Sequence, residues 1–563
     1  MRFDEIAVDA LEAHVKNVLT KEEITRLIET PKHAEHGDIA FPCFQLAKTY
    51  RKSPQQIAKE LSEVCEHPFI EKFEANGPYL NAFLKRKLIS KQLIEKVTQL
   101  SDHYGSAIDG IGARVVIDFS SPNIAKPFSM GHLRSTVIGN SLALLAEKNG
   151  CEPVKINHLG DWGTQFGKLI AAYKHWGNEA EVKENPIPTL LKLYVKFHKE
   201  SEENPQLSIE GRGWFKKLEG GDLEAESLWK WFKDESLKEF EKVYQMLGIS
   251  FDKVQGESFY NDKMEEVVKE LSEKGLLHES EGARVVNLGE DQPPCLIEKT
   301  DGTTLYATRD LAAAIYRYKT YDFQQCLYVV GGEQQLHFEQ IFQVLGMMGY
   351  DWNKKMTHVP FGLILKDGKK MSTRKGKVVL LEEVLQNAID KAKDNMMEKN
   401  PELKNLEDVA KQVGVGAVIF HDLKNERLGS VEFDLEQMLK FEGDTGPYVQ
   451  YTNARCQTIL TKAERKGHMD KVSGLEDPYS WEVVKLLERF PTEVKRAFDL
   501  YEPSVIAKYL LKLSQAVNTY YGNVKILQGD AGEKDNKLAL LKSVTIVLQE
   551  GLRLLGIKAP KKM

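Results

Sequence analysis

The sequence predicts a multidomain α/β protein. A doubly wound parallel-sheet domain should stand between an N-terminal α+β domain and a C-terminal α-helical bundle. Three observations predict this. At 563 residues the chain is too long for one domain. Strand–loop–helix units recur between Arg114 and about residue 350, the pattern of a parallel sheet wound by helices. The last third of the chain carries apolar residues at helical spacing.

Residues 1–29 are helical in period, through Ile6, Ala10, Val18, Ile24, Leu27 and Ile28. KHAEHGDIAF then turns into a strand, and His33 and His36 sit there among acids as solvated turn residues rather than metal ligands. Ser53-Pro54-Gln55-Gln56 combines an N-cap, a proline at the first helical position and a capping-box glutamine. ANGPYLNAFL at 75–84 reads as turn then strand, with a helix running to about Leu100.

RVVIDFS, from Arg114, is a short strand of buried character, followed by the loop SPNIAKPFSM. A helix follows, with Leu133, Ile138, Leu142 and Leu145 near one face and Asn149-Gly150 as its stop. This order sets the loop at the carboxyl end of a strand and aims a helix N-terminus at it. Backbone N–H groups and the helix dipole there favour an anion. The loop is neither a Walker sequence nor GxGxxG.

A second strand spans Pro153–Asn157, and HLGDWGTQFGKLI follows. Its glycines at 160, 163 and 167 permit close backbone approach, and His158 and Asp161 are expected in the ligand crevice. Residues 180–285 read as a charged helical insertion whose Trp214, Trp229 and Trp231 are core. CLIEKTDGTTLYATRD reads as strand, DG turn, strand and a helix opening at Thr308 to Asp310. A further strand at 326–330 leads through a GG loop into a helix. Near the end, stripes at 505–521 and 536–555 are core faces, and Pro491 and Pro503 mark breaks or helix starts.

Apolar content of 42% with 28% charged residues excludes wholesale disorder. No apolar run approaches the ~18 residues of a membrane span, and MRFDEIAVDALEAH lacks a signal peptide's basic start. The six cysteines are scattered without CxxC spacing, which argues against zinc and against a disulfide framework, and for a cytoplasmic protein. A net charge of −6 leaves a nucleic-acid partner open, because basic residues cluster in KDGKKMSTRKGK, where half the positions are Lys or Arg.

Pro-Phe-Ser-Met-Gly-His at 127–132, inside SSPNIAKPFSMGHLRST, resembles the HIGH signature of class I aminoacyl-tRNA synthetases in its arginyl-tRNA synthetase form. Ser129 replaces the first histidine of that signature, while Gly131 and His132 stand. Lys370-Met371-Ser372-Thr373, in KKMSTRKGK, resembles the KMSKS loop, with Thr373 for the second lysine and Arg374 and Lys375 beside it. TPKHAEHGDIAF and GPYLNAFL resemble the family's N-terminal additional domain. The stretch 425–460 and the tail GLRLLGIKAPKKM resemble its anticodon-binding bundle, whose C-terminus lies beside the anticodon loop.

The resemblance spans essentially the whole chain. It implies an additional domain contacting the tRNA elbow at 1–108 and a Rossmann-like, HIGH-type catalytic domain at 109–385. A linking helical segment would follow at 386–433 and an anticodon-binding domain at 434–563. It further implies ATP-dependent activation of L-arginine and transfer to tRNA(Arg), with magnesium accompanying ATP, no zinc, no membrane and a monomeric enzyme.

By the same resemblance, His132, Ser129, Lys126 and Lys370 are the candidate catalytic residues. Ser129, Gly131, His132, Lys370, Met371, Ser372, Arg374 and Lys375 would bind ATP. Arginine would be held by Asp118, Asn123, His132, Tyr306, Asp310 and Gln334. A mobile basic loop spreads charge developing on phosphate, and the planar donors of a guanidinium call for carboxylates in fork geometry. A serine hydroxyl still donates one hydrogen bond, so Ser129 should be tolerated with Lys126 nearby. Asp118 is shorter than the glutamate of some relatives. Ser129 and Thr373 are the sole support for an alternative, a catalytically silent tRNA-binding paralogue. A class I nucleotidyltransferase with another acceptor fits the helical last third less well.

Overall fold

In a computed structural model, which describes residues 2–107, 110–290, 292–299, 306–371, 373–374, 377–464 and 472–563, the three-part α/β architecture is as predicted. The periodicity of residues 1–29 resolves into two helices, Phe3–Val15 and Lys21–Leu27. Thr20 starts the second by exchanging hydrogen bonds with Glu23 in a capping box. Ser53 and Gln56 form the capping box read from the sequence at the helix Pro54–Val64. These helices cover an antiparallel sheet of β1 (Ile39–Pro42), β2 (Ile70–Asn76) and β3 (Tyr79–Leu84), in the order β1-β3-β2.

The central domain opens with β4 (Arg114–Asp118), whose Val115, Val116 and Ile117 are buried, followed by β5 (Glu152–Asn157). The expected helical insertion at 180–285 contains strands as well as helices, the first of them β6 (Lys253–Val254), which pairs in parallel with β5. Beyond it, β7 (Leu277–Ser280), β8 (Ala283–Val286) and β9 (Cys295–Lys299) form an antiparallel meander. CLIEK is thus β9 and not a strand of the main sheet. The connection from β8 is too short for a parallel crossover, which takes about a dozen residues or more. The second strand expected before the next helix falls largely on 300–305, outside the described residues, and that helix opens at Tyr306 rather than Thr308.

The main sheet is completed by β10 (Gln325–Tyr328) and β11 (Met356–His358). Its order is β11-β10-β4-β5-β6, with every pair parallel. The chain winds from β4 outward to β6 and returns on the other side at β10. The order therefore reverses between β4 and β10, and a crevice opens at their carboxyl ends, where Asp118 and Tyr328 face each other in register.

The helix Leu381–Lys399 crosses the boundary expected at 385 and packs on Leu406–Leu423. Gly446–Glu464, Pro478–Asp499, Ser504–Asn523 and Ala531–Leu554 then form the C-terminal bundle. Pro503 precedes a helix as expected, but Pro491 lies inside Pro478–Asp499. A proline has no N–H for the carbonyl four residues back, Leu487. The hydroxyl of Tyr104 supplies that hydrogen bond at 2.9 Å, so a residue from another domain sustains the helix. Among the described residues, no helix is long and apolar enough to cross a membrane.

Candidate active site

The loop after β4 takes an unusual path. Ser120, Ser121 and Ala125 all have positive φ, at 72°, 48° and 58°, in the left-handed region that non-glycine residues rarely adopt. Hydrogen bonds hold it there. Ser120 N–H donates to Ser135 Oγ at 2.8 Å, and Ala125 N–H to Ser236 Oγ at 2.9 Å. Ile124 N–H donates to the Gly160 carbonyl, and Gly160 N–H to that of Pro122. A Cβ on Gly160 would stand 2.1 Å from Asn123 Oδ1, so the glycine is what lets the two loops meet.

The loop bridges to the second basic motif through backbone. Met130 N–H donates to Val379 O at 3.0 Å and Leu381 N–H to Phe128 O at 2.9 Å. The motif is a short hairpin: β12 (Ile364–Lys366) pairs antiparallel with β13 (Lys369–Lys370) and parallel with β16 (Val431–Glu432). Between the last two, β14 (Thr373–Arg374) pairs with β15 (Lys377–Val378). Lys370 is exposed, whereas Met371 is buried and donates its N–H to Ile364 O. Ser372 and Lys375 lie outside the described residues.

A cleft of about 780 Å³ opens at the sheet's switch point and gathers Asp118, Asn123, Ser129, Gly131, His132, Tyr306, Asp310, Gln334 and Lys370. Met371 and Lys126 do not line it. Met371 anchors the hairpin in the core, and Lys126 is exposed but close enough for its charge to help lower the His132 pKa. Asp161, expected in the crevice, is instead a fully buried staple. It accepts from Ser258 N–H, Ser258 Oγ and Lys233 Nζ, tying the loop after β5 to the insertion.

His132 caps the start of the helix Leu133–Lys148. Its Nδ1 lies 3.1 Å from the Ser129 N–H and 3.3 Å from the Ser129 carbonyl oxygen, accepting from the first in one tautomer and donating to the second in the other. Burial, outweighing the Ser129 contact, lowers the pKa of this histidine and keeps it neutral. The Ser129 hydroxyl lies 3.3 Å from the same Nδ1, so it serves the histidine. The carboxylate of Asp118 accepts from Ser121 Oγ at 2.9 Å and is paired with Arg317 at 2.8 Å. Burial alone would raise the carboxyl of Asp310, but a hydrogen bond from His337, the adjacent His158 and the charge of Arg317 hold it below the ordinary value.

Glu257, Tyr328, His337 and Arg134 are among the cleft residues that sequence reasoning missed. His337 could have been found, since it follows Gln334 by three residues at the start of a helix. Glu257 had no local signal. Burial pushes its carboxyl up to about 7. Arg134 makes a buried ion pair with Asp422 at 3.0 Å and donates to Gly429 O at 2.7 Å, joining the helix of His132 to the segment that carries β16.

Comparison with known proteins gives three family matches. The profile described as "tRNA synthetases class I (R), catalytic domain" matches residues 94–435. "Arginyl tRNA synthetase N terminal domain" matches 5–84 and "DALR anticodon binding domain" matches 449–563. The arginine–tRNA ligase of Exiguobacterium sibiricum is 59% identical over 564 residues, covering 100% of both chains. Arginine–tRNA ligase 2 of Bacillus anthracis is 60% identical over 548 residues, 97% of each. The solved arginyl-tRNA synthetase of Thermus thermophilus superposes with a TM-score of 0.82 at 25% identity, covering 100% of both chains.

Proposed function

The chain belongs to the arginyl-tRNA synthetase family, and on that premise we propose how its cleft carries out the reaction. The enzyme activates L-arginine with ATP and transfers it to tRNA(Arg). The arginine carboxylate attacks the α-phosphate of ATP, giving arginyl-adenylate and pyrophosphate. The 2′-hydroxyl of the terminal tRNA adenosine then attacks the arginyl carbonyl and releases AMP. The protein's part is alignment and stabilisation of phosphate charge.

The observation that carries the assignment is the backbone junction between the 122–132 loop and the basic hairpin, set over a cleft with Asp310 at its far side. In this reading Gly131, His132 and Lys370 meet the phosphates, and Lys126, Ser372, Arg374 and Lys375 are assigned to the phosphates with them. Ser129 supports His132 and does not replace the family's missing histidine directly. Asp310, Tyr306 and Gln334 take the guanidinium side. Asn123 and Asp118 take the amino end, Asp118 with its charge shared with Arg317. Magnesium enters on the triphosphate as part of the substrate; its preference for phosphate oxygens needs no protein cage. We further assign the four-part division, with its second boundary moved from 385 to the start of the helix Leu381–Lys399, a monomer, and a cytoplasmic location.

The test is charging of tRNA with labelled arginine, with lysine as control and His132→Ala beside the wild type. Arginine-specific charging lost in the variant supports the assignment. A folded, tRNA-binding wild type that charges nothing would refute it. Family resemblance also suggests that activation needs tRNA, and full-rate ATP–pyrophosphate exchange without RNA would refute that part.

A further inference from the structure

Asp310 is flanked by histidines on different elements, one hydrogen-bonded to it and one facing it at 4.0 Å. His337, on the helix Gln335–Met347, places Nε2 at 2.6 Å from Asp310 Oδ2. The carboxylate accepts, so the imidazole donates. On the other side, His158, just beyond β5, has Nε2 at 4.0 Å from Asp310 Oδ1. Its Nδ1 lies 3.3 Å from Nη2 of Arg317. A guanidinium has no acceptor, so Nδ1 must accept and the His158 proton is fixed on Nε2, facing Asp310.

The same Nη2 lies 2.8 Å from Asp118 Oδ2. Arg317 itself is almost wholly buried and stands over the Tyr328 ring, 5.3 Å from its centroid. Asp310 and Arg317 are seven residues apart on the helix Tyr306–Tyr321, two turns along one face. The floor of the cleft is thus a chain of contacts, Asp118–Arg317–His158–Asp310–His337, drawn from four elements.

We infer that His337, His158 and Arg317 are positioning residues that fix the carboxylate plane of Asp310, with Arg317 setting the His158 tautomer. The inference rests on the assignment of arginine to this cleft. A planar guanidinium gains its second hydrogen bond only if the carboxylate lies in its plane, whereas an ammonium takes a carboxylate at any rotation. Holding the plane therefore favours arginine over lysine in a way that negative charge alone does not.

The test uses the full-length enzyme with tRNA(Arg) in ATP–pyrophosphate exchange, reading kcat and the separate KM values for arginine and ATP. His337→Leu removes one donor to a charged acceptor and should raise the arginine KM about tenfold or more, leaving the ATP KM within about twofold. His337→Gln keeps an N–H at similar reach and should recover most of the loss. Arg317→Lys keeps the charge but not the shared donor geometry, and should also raise the arginine KM selectively. His337 is only partly buried, so its variants keep the test open where Arg317 variants lose the fold.

An arginine KM within about twofold of wild type in His337→Leu would overturn the inference alone. So would arginine and ATP KM values rising together, or glutamine failing to rescue. A wild type without arginine-dependent exchange would overturn the functional assignment and this inference with it.

Discussion

Glu257 offers a proton-linked reading of substrate binding. It lines the cleft, and burial pushes its carboxyl up to about 7, with Arg309 opposing that rise and Asp310 and Asp161 adding to it. At about pH 7 roughly half of the free protein therefore carries a proton there. A guanidinium entering the cleft favours the carboxylate. If pairing returns the group to its ordinary value of 4.5, binding at about pH 7 releases roughly half a proton. The bound state holds fewer protons, so affinity rises with pH. Between about pH 5.5 and pH 8 the expected gain is about thirtyfold.

The folding sign is opposite. The folded value lies above the unfolded one, so Glu257 favours the fold below about 4.5, and that contribution is lost as pH rises through about 7. Calorimetric titration with arginine in two buffers of different ionisation heat measures the released protons. Glu257→Gln should abolish the release and flatten the affinity over this window. Equal heats in both buffers for the wild type, or release unchanged in the variant, would refute the reasoning.

Other outcomes follow from single contacts. His132→Ala should lower kcat of exchange about 10²- to 10³-fold while arginine affinity, measured by calorimetry, changes little; an unchanged rate would take the imidazole off the phosphates. Gly160→Ala forces a Cβ onto Asn123, and should cost about 1–3 kcal/mol in thermal melting and raise the arginine KM. Tyr104→Phe leaves the Leu487 carbonyl without its donor, at a cost of about 1–3 kcal/mol by denaturant unfolding. Adding Pro491→Ala restores a helical N–H to that carbonyl and should recover part of the loss; no recovery would mean the hydroxyl acts elsewhere.

The site was legible where its chemistry is local. Strand, loop and helix from Arg114 to Lys148 are consecutive, so their residue types reveal both the elements and the anion-facing end between them. The basic hairpin was legible as composition. Strand pairing was not legible: CLIEK belongs to the meander, and β6, only two residues long, lies within a stretch of helical pattern. Local pattern shows that a segment can be a strand, while pairing depends on connection length and on what covers its faces. Pro491 is the same lesson in a helix, since its tolerance rests on Tyr104, almost four hundred residues away in sequence.

By itself, then, the sequence determined the α/β class, the strand–loop–helix unit from Arg114 to Lys148 and the basic run at 366–377, because each depends on residues close together along the chain. The tertiary structure decided which charges are used up and which remain available. Burial and proximity took Asp161 out of the cleft, paired Asp118 with Arg317, and pushed the carboxyl of Glu257 up within reach of the charge on Asp310. Desolvation and charge pairing belong to the assembled interior, where groups distant in sequence share one low-dielectric space.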